Sequence, residues 1–398
     1  MTRSRATLAT CSGAHILHDG LTDVLYVLLP VIAQTFGLNY AQIGFIRSAN
    51  KAALAVFQLP AGLLAERYGE RSLLALGTAC AGIGFVALGF ASGFVAILVA
   101  LFIAGLGSAF QHPLSSSMIS NAYPVDGRRI ALGTYNFAGD VGKVGVASLF
   151  SVLIAAGMGW QAPAMATGVV AMAAAVIFYA LLRSAGIGNR PPRLRSSVAE
   201  HGNGGWGLSN REGFIALTAI EIVDSSMRSA FLTFVAFLML AKGLPEGWAL
   251  MSVPLAAAGG MAGKLACGFL AERFGPVRTI AVTQATCAAG IVALVYLPGL
   301  SAYVLLPLVG LALNGTSSAL YGTVGDVVEP EKVSRAFGLF YTVGSSCGVI
   351  APLAYGVLAD QVGIETTVLC IAAVTAVFLP ATLWLKRSLG PKPRPAFG

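Results

Sequence analysis

The stretch GLLAERYGER at residues 62–71 recurs as GFLAERFGPVR at residues 268–278. The leading glycines, Gly62 and Gly268, lie 206 positions apart (268 minus 62), which is about half of the 398-residue chain. Each copy directly follows an apolar segment that is long enough to cross a bilayer as a helix. A pattern that recurs at about half the chain length predicts two similar halves with the same order of helices.

The composition of the chain excludes a soluble globular protein. Hydrophobic residues make up 56% of the sequence, charged residues only 11%, and the mean hydropathy is +0.78. Soluble domains usually contain about 25% charged residues. Apolar runs of roughly 20 residues, the length of a membrane-crossing helix, fill nearly the whole chain. We therefore predict an all-α membrane protein with twelve transmembrane helices, at roughly 8–35, 41–66, 72–92, 95–121, 130–157, 163–183, 212–241, 247–270, 278–298, 302–326, 334–359 and 366–386.

The predicted helices fall into two bundles of six, at 1–183 and 212–398, and the second bundle ends in a short cytoplasmic tail. The residues between them, 184–211, contain Pro191-Pro192, Gly204-Gly205 and four arginines, so we expect a flexible basic linker. Two similar six-helix halves are typical of secondary transporters, in which the substrate binds near the bilayer midplane between the halves. Because one chain contains both halves, we expect a monomer.

Basic residues are distributed unevenly over the predicted loops. One set of loops, together with both termini and the linker, contains 19 of the 25 lysines and arginines, whereas the opposite loops contain only Lys242. Because cytoplasmic loops are rich in Lys and Arg, both termini and the linker are predicted to be cytoplasmic. The formal net charge of +8 then follows from the topology of a multi-pass inner-membrane protein, and nucleic-acid binding is not expected.

The repeated pattern G-x-L-A-E-R-x-G resembles the signature of the major facilitator superfamily. The resemblance covers the whole chain through the number of spans, the linker and the repeat. It implies an inner gate at the cytoplasmic helix ends, where ion pairs form and break and glycines allow close helix packing and a tight turn. The residues carried over to this gate are Gly62, Glu66, Arg67, Gly69, Arg71, Gly268, Glu272 and Arg273. One family feature is missing from the fourth predicted helix. Leu101 stands where members of the family often carry an arginine that is linked to proton coupling.

The first and fourth predicted helices resemble a narrower group, the fosmidomycin resistance branch of this superfamily. The resemblance lies in the N-terminal half, in HILHD at residues 15–19, LP at 29–30, YAQIG at 40–44 and GLGSAFQHPLSS at 105–116. It implies the export of a drug in exchange for protons. Any proton coupling must use residues other than the missing helix-4 arginine.

Ten charged residues fall inside the predicted spans, away from the residues at the span ends, and five of them are acidic and five basic. Each costs roughly 2.5–3.5 kcal/mol at the centre of a membrane helix. They must therefore face one another or a water-filled cavity. They are Asp19, Asp23, Asp140, Glu221, Asp224, Arg47, Lys51, Lys143, Arg228 and Lys264.

On the first predicted helix, polar residues from His15 to Tyr26 recur at the spacing of one helix face. A histidine beside a buried acid is suited to carrying a proton, because imidazole titrates near neutral pH. Arg47 and Lys51 have no acid nearby on their own helix, so Asp19, Asp23 or an anionic substrate is their expected partner. We predict proton coupling through His15, Asp19, Asp23, Asp140 and Asp224, and substrate binding through Tyr26, Arg47, Lys51, His112, Glu221, Arg228 and Asn314.

Two alternatives remain open at these positions. Asp140 and Lys143, three residues apart on one helix, could simply neutralise each other. His15, His18 and Asp19 carry donor atoms that suit a transition metal. A single helix rarely completes a metal shell, however, so the sequence predicts neither a metal site nor a cofactor.

Together these patterns predict a secondary active transporter and not an enzyme, since HExxH and phosphate-cradling motifs are absent from the sequence and no nucleophile–base pair stands out. We expect proton-coupled efflux of a small polar or anionic organic compound, such as a drug or a phosphonate, by rocking of the two halves. Uptake of an organic anion, by symport or facilitated diffusion, is the first alternative. A membrane assembly factor or sensor that has lost transport is the alternative from another class.

Overall fold

The structure, a computed structural model, describes residues 2–189, 208–329 and 333–389. Most of the predicted linker, at 190–207, and the tail beyond 389 lie outside these ranges. The described residues form α-helices throughout, which confirms the all-α prediction. The helices are α1 (Arg3–Asp23), α2 (Leu25–Phe36), α3 (Tyr40–Tyr68), α4 (Glu70–Gly89), α5 (Phe94–Ser108), α6 (Gln111–Ala122), α7 (Val125–Ala155), α8 (Gln161–Ser184), α9 (Arg211–Ala241), α10 (Glu246–Phe274), α11 (Pro276–Tyr296), α12 (Gly299–Val324), α13 (Val333–Val362), α14 (Ile364–Phe378) and α15 (Ala381–Leu389).

Eleven candidate membrane spans are present in the described part of the chain, by helix length and apolar composition. Three of them join two consecutive helices, namely α1 with α2, α5 with α6, and α14 with α15. The break before α6 has a clear cause, because Pro113 cannot donate a hydrogen bond to the carbonyl of Ala109 and its ring displaces that carbonyl. The remaining helix, α3, has 29 residues and so spans about 43 Å, which exceeds the roughly 30 Å of a bilayer core.

The helices divide into two compact units, each of which is described by itself. Unit 1 comprises Met1–Ala199, Leu232–Leu255 and Pro352–Gly363, and unit 2 comprises Glu200–Phe231, Ala256–Ala351 and Ile364–Gly398. Unit 1 thus contains helices α1–α8 and short parts of α9, α10 and α13. The predicted division into six-helix bundles at 1–183 and 212–398, joined by a linker at 184–211, stays a prediction.

Small residues bring the helices of unit 1 close together. A methyl group added to Gly82 in α4 would lie 2.6 Å from the carbonyl oxygen of Gly168 in α8, and the reciprocal addition at Gly168 gives the same distance to Gly82. Backbones approach this closely only where side chains are absent, which is how membrane helices gain van der Waals contact. The crossing holds α4 against α8 over most of their length. In unit 2, Gly259 and Gly310 allow the same approach between α10 and α12.

In unit 1, a carboxylate from the last turn of α13 caps the N-terminus of α3. Asp360 accepts hydrogen bonds from the backbone N–H groups of Tyr40 (2.8 Å) and Ala41 (2.9 Å), the first two residues of α3. The first N–H groups of a helix lack intrahelical partners and carry a partial positive charge, so a carboxylate stabilises them. Gly356 permits the contact, because a methyl group there would lie 2.4 Å from the Tyr40 carbonyl oxygen.

The repeated motif forms tight turns, as predicted, but its first glycines do not pack as predicted. Gly69 and Gly275 adopt left-handed φ values of 84° and 90° at the boundaries of α3/α4 and α10/α11. By contrast, a methyl group on Gly62 or Gly268 would meet no heavy atom of the described residues within 4 Å. The close packing predicted for Gly62 is therefore not formed with the part of the chain that the structure describes. Gly62 instead borders a cavity of about 870 Å³ in unit 1.

The charged residues of the motif lie at helix ends, and the described arginines among them contact aromatic rings. The guanidinium groups of Arg67 and Arg273 lie over the rings of neighbouring aromatic residues, each 5.5 Å from the ring centroid. Arg71 lies over Tyr179 at 5.2 Å. Within the described side chains, these arginines and the exposed Glu272 make no ion pair; the side chain of Glu66 lies outside the described part. Their role in a gate stays a prediction.

Candidate functional site

The Asp19 carboxylate is the centre of a buried polar cluster in unit 1. One of its oxygens lies 3.2 Å from His15 Nε2 and 3.1 Å from Lys143 Nζ, and the other lies 3.4 Å from His112 Nε2. Only 7% of the surface of Asp19 is exposed. We call His15, Asp19, His112 and Lys143 the Asp19 cluster. Three helices, α1, α6 and α7, supply its four side chains.

Local geometry explains why these side chains can meet. His15 and Asp19 are one turn apart on α1, so both face α7. On α7, a methyl group at Gly139 would lie 2.5 Å from His15 Nε2 and 2.8 Å from an Asp19 oxygen. A glycine at this position therefore makes room for the ion pair. Because α6 begins as a separate helix after the break that follows α5, it can direct His112 toward Asp19.

The hydrogen positions on His15 follow from its two partners. His15 Nδ1 lies 2.8 Å from the backbone carbonyl oxygen of Tyr135, and a carbonyl can only accept, so Nδ1 carries a hydrogen that it donates. A neutral ring would then present a bare lone pair on Nε2 to the Asp19 carboxylate. The 3.2 Å contact consequently requires one more hydrogen, carried either by Nε2 or by the carboxyl group. The ring of Tyr135 stacks on His15 at 4.1 Å and holds this orientation.

The Asp19 cluster also contains the donor atoms of a potential metal site. His15, Asp19 and His112 each offer a ligand atom, and these atoms all lie within 4.8 Å of one another. The premise that α1 alone would supply the ligands is therefore wrong, because α6 adds His112. The ammonium group of Lys143, however, already contacts the same carboxylate at 3.1 Å. A metal ion would have to displace this cation.

Arg47 on α3 is a fully buried guanidinium that is only partly satisfied. Its NH1 donates to the carbonyl oxygen of Thr22 at 3.0 Å. The guanidinium carbon, Cζ, lies 4.0 Å from the ring centroid of Tyr26. Its NH2 lies 3.8 Å from Asp23, a long ion pair that confirms the expected partner. Within the described part of the chain, Nε and NH2 have no hydrogen-bond acceptor. Arg47 therefore retains capacity for an anion.

Lys51 lies one turn further along α3 and is partly exposed. Lys51 makes no hydrogen bond or ion pair with Asp19, Asp23 or any other residue that the structure describes, so its third expected partner, an anionic substrate, stays a prediction. Its neighbouring charges include Arg47 and Lys143, both positive, as well as those two acids. The region around Lys51 is thus rich in positive charge.

Two other polar residues of unit 1 have local partners. His18 Nε2 donates to Thr78 at 2.9 Å, since the Thr78 hydroxyl hydrogen is given to Leu74, and His18 Nδ1 accepts from Ser108 at 3.2 Å. His18 is therefore a neutral, satisfied core histidine. Asp140 lies 3.3 Å from Lys143, so the pair predicted by their spacing is formed, while Lys143 also reaches Asp19.

A separate polar cluster lies in unit 2 on α9. Arg228 NH1 lies 3.3 Å from Asp224, and Arg228 NH2 donates to Ser225 Oγ at 3.1 Å. Ser225 in turn donates to a Glu221 oxygen at 2.7 Å. The two acids are buried, with 1% of Glu221 and none of Asp224 exposed. These side chains share one face of α9, and we call Glu221, Asp224 and Arg228 the unit 2 triad.

Asn314 on α12 is placed elsewhere in unit 2. A methyl group on Gly260 would lie 2.2 Å from its amide nitrogen, so the Asn314 side chain packs against α10. No described hydrogen bond joins Asn314 to the unit 2 triad. Its predicted contact with substrate stays a prediction.

Sequence reasoning missed Tyr135 and undervalued Lys143. Tyr135 acts through its backbone carbonyl, for which a side chain gives no signal. Lys143 is three residues from Asp140, and this local pairing concealed its contact with another helix. The recurrence of Gly139 as Gly344, 205 positions later (344 minus 139), is a signal in the sequence that could have pointed to this part of α7.

Comparisons with known proteins agree with this architecture. The family model of the Major Facilitator Superfamily matches residues 11–352. The chain is 27% identical to YfnC of Bacillus subtilis, an uncharacterized MFS-type transporter, over 373 residues that cover 92% of this chain and 88% of that protein. It is 30% identical to the fosmidomycin resistance protein of Escherichia coli over 109 residues. These residues cover 27% of this chain and 27% of that protein.

A solved structure shows the same fold. A bacterial homologue of the human lysosomal transporter Spinster, in an inward-facing and occupied conformation, matches with a TM-score of 0.82 and 17% identity, over 96% of each chain. The family match and the similarity to YfnC confirm the prediction of a transporter and not an enzyme. The chain is therefore a multi-pass inner-membrane protein that belongs to the Major Facilitator Superfamily.

Proposed function

We propose that this protein is a proton-coupled exporter of a small organic anion that works by alternating access. The observation that carries the proposal is the Asp19 cluster, in which one buried carboxylate contacts two histidines and a lysine. Ionisable residues within membrane spans are costly and are commonly kept for ion pathways. A histidine in contact with a carboxylate can act as a proton shuttle.

The proton carrier in this proposal is the His15–Asp19 contact. Because the Tyr135 carbonyl occupies His15 Nδ1, any proton that arrives or leaves does so at the contact between Nε2 and the carboxyl group. When that proton leaves, Lys143 remains 3.1 Å from Asp19 and can neutralise the carboxylate. Lys143 therefore lowers the electrostatic cost of the deprotonated state in a low-dielectric site.

The charge balance of unit 1 favours an anionic substrate. The first half places three acids, Asp19, Asp23 and Asp140, and three bases, Arg47, Lys51 and Lys143, within its spans. The additional hydrogen at His15–Asp19 makes this interior net positive. An anion that binds near Lys51 and the unpartnered Nε and NH2 of Arg47 would restore neutrality. We propose that these two residues bind its charged group, with Tyr26 as the adjoining apolar wall.

Export is the proposed direction because a segment of the chain is similar to a protein named for resistance to fosmidomycin. Fosmidomycin is a phosphonate, which agrees with a site rich in positive charge. Uptake of an organic anion uses the same residues and is distinguished by the direction of flux. An inward-directed proton gradient across an inner membrane would drive export as antiport, because protons then enter as the anion leaves.

Sealed proteoliposomes with a trapped pH dye test this function. Phosphonates, carboxylates and lipophilic cations would be added to wild type, to Asp19→Asn and to Glu365→Gln, a matched neutralisation of an exposed acid at the start of α14. We expect one class of anion to move protons in the wild type and in Glu365→Gln, and not in Asp19→Asn. Tracer flux without proton movement would contradict coupling. Absence of flux from folded protein for every compound would favour a non-transporting assembly factor or sensor.

A further inference from the structure

We infer that the unit 2 triad, Glu221, Asp224 and Arg228, is a second proton-binding site in which two carboxyl groups share one guanidinium and one proton. The inference rests on the proposed proton coupling and extends it to the second half of the chain. It gives Glu221 a different role from the substrate contact that its position in the sequence predicts.

The first support is the number of charges. Both carboxyl groups are almost completely buried, while a single cation, Arg228, contacts them directly or through Ser225. If both acids were ionised, the triad would carry one uncompensated negative charge in a region of low dielectric constant. Burying an unpaired charge is far more costly than keeping the group neutral. One of the two carboxyl groups therefore holds a proton.

Among the side chains that the structure describes, the helices packed around the triad supply no further cation near these acids. The groups that face Glu221 and Asp224 are Gln284 and Cys287 on α11, Thr316 and Tyr321 on α12, and Tyr341 and Cys347 on α13. Amide and hydroxyl groups are uncharged, and tyrosine and cysteine are neutral in their ordinary protonated forms. None of these residues offsets a second carboxylate.

The hydrogen bonds indicate which acid holds the proton. Arg228 contacts Asp224 directly, at 3.3 Å, which makes Asp224 the ionised partner. Glu221 receives only the hydroxyl of Ser225 at 2.7 Å and that of Tyr321 at 3.5 Å, both on Oε1. Its other oxygen, Oε2, is buried and has no hydrogen-bond partner in the described structure, and the same holds for both oxygens of Asp224. The direct contact of Arg228 with Asp224 is therefore what assigns the proton to Glu221, with Oε2 as the atom that carries it.

A second and independent support comes from the internal repeat. His15 maps onto Glu221 at the repeat distance of 206 (221 minus 15), and both lie on the first helix of their half. Each is covered by a glycine, since a methyl group on Gly344 would lie 2.5 Å from Glu221 Oε1, as one on Gly139 would lie 2.5 Å from His15 Nε2. Both halves have therefore kept space for a protonatable side chain at the same repeat position.

Infrared spectroscopy of the purified, folded protein tests the site without any need for transport. The measurement uses an Asp19→Asn background, so that unit 1 contributes no protonated Asp19. At neutral pH we expect a carbonyl band of a protonated carboxyl group that Glu221→Gln removes. Asp224→Asn should also remove it, because Glu221 then becomes the sole acid beside Arg228 and ionises. Glu365→Gln is the matched control and should keep the band.

A variant of Arg228 provides a second test, in which the infrared band should become larger instead of disappearing. Arg228→Gln removes the guanidinium, so both acids should become neutral and the band should grow about twofold. A band that is unchanged by both Glu221→Gln and Asp224→Asn would overturn the inference. The result is independent of the proposed function, because failure of proton-coupled flux in proteoliposomes would leave this band intact. Conversely, coupled flux that depends on Asp19 without any triad band would retain the function and reject the second site.

Discussion

Removing Asp360 should free the first turn of α3 from its carboxylate cap. Asp360 accepts from the backbone N–H groups of Tyr40 and Ala41 at 2.8 and 2.9 Å. Hydrogen bonds to charged groups contribute about 1.5–3 kcal/mol, and loss of a helix cap costs about 0.5–2 kcal/mol. Because this contact is exposed and water can replace the carboxylate, we take about 1–2 kcal/mol for Asp360→Ala. That range corresponds to a factor of about 5–30 in a local opening equilibrium.

Hydrogen–deuterium exchange measures this opening directly, since local opening limits the exchange of protected amides. We expect the Tyr40 and Ala41 amides to exchange about 5–30-fold faster in Asp360→Ala, with a smaller increase in Asp360→Asn, which keeps one acceptor oxygen. The Gln42 amide is an internal control, because it donates to the Asn39 side chain at 2.8 Å and not to Asp360. Unchanged exchange at Tyr40 and Ala41 would refute the argument. A uniform increase along α3 would indicate unfolding instead of loss of the cap.

Three further predictions concern single contacts. Gly139→Ala should abolish substrate-dependent proton movement in proteoliposomes while the protein stays folded, because the methyl group would lie 2.5 Å from His15 Nε2; wild-type coupling would contradict this. Lys51→Gln should raise the KM for an anionic substrate at least about tenfold, the equivalent of about 1.4 kcal/mol, with little change for an uncharged analogue. Gly168→Leu should lower the melting temperature in detergent, since overpacking costs about 1–3 kcal/mol, and an unchanged value would show that α4 and α8 separate freely.

Much of the fold is predictable from the sequence because the bilayer imposes simple requirements. Every polar backbone group within it must be satisfied inside the chain, so apolar runs of sufficient length become helices. The predicted second span, 41–66, corresponds to α3 at Tyr40–Tyr68, and the other spans agree similarly. The high energetic cost of membrane charges also identified His15, Asp19 and the face of α9 as polar sites.

The contacts between helices were less predictable, because they depend on rotation about each helix axis. Periodicity shows that two residues share a face but not which neighbour that face meets. Lys143 illustrates this, since its local partner Asp140 was evident and its contact with Asp19 was not. Gly62 illustrates the converse, because a glycine permits close packing only where another backbone is present, and here it borders a cavity.

The orientation of His15 is fixed by a main-chain atom, and this has a consequence for mutagenesis. Every amino acid at position 135 presents a carbonyl oxygen, so no substitution there can delete the acceptor for His15 Nδ1. A substitution such as Tyr135→Leu removes ring stacking and the hydroxyl partner of Gln111 but leaves the imidazole tautomer specified. Genetic screens would therefore score position 135 by its side chain alone, and the hydrogen-bond partner that sets the chemistry of His15 would go undetected. Replacement of the peptide bond by an ester one residue later would expose it, because an ester carbonyl is a weaker acceptor.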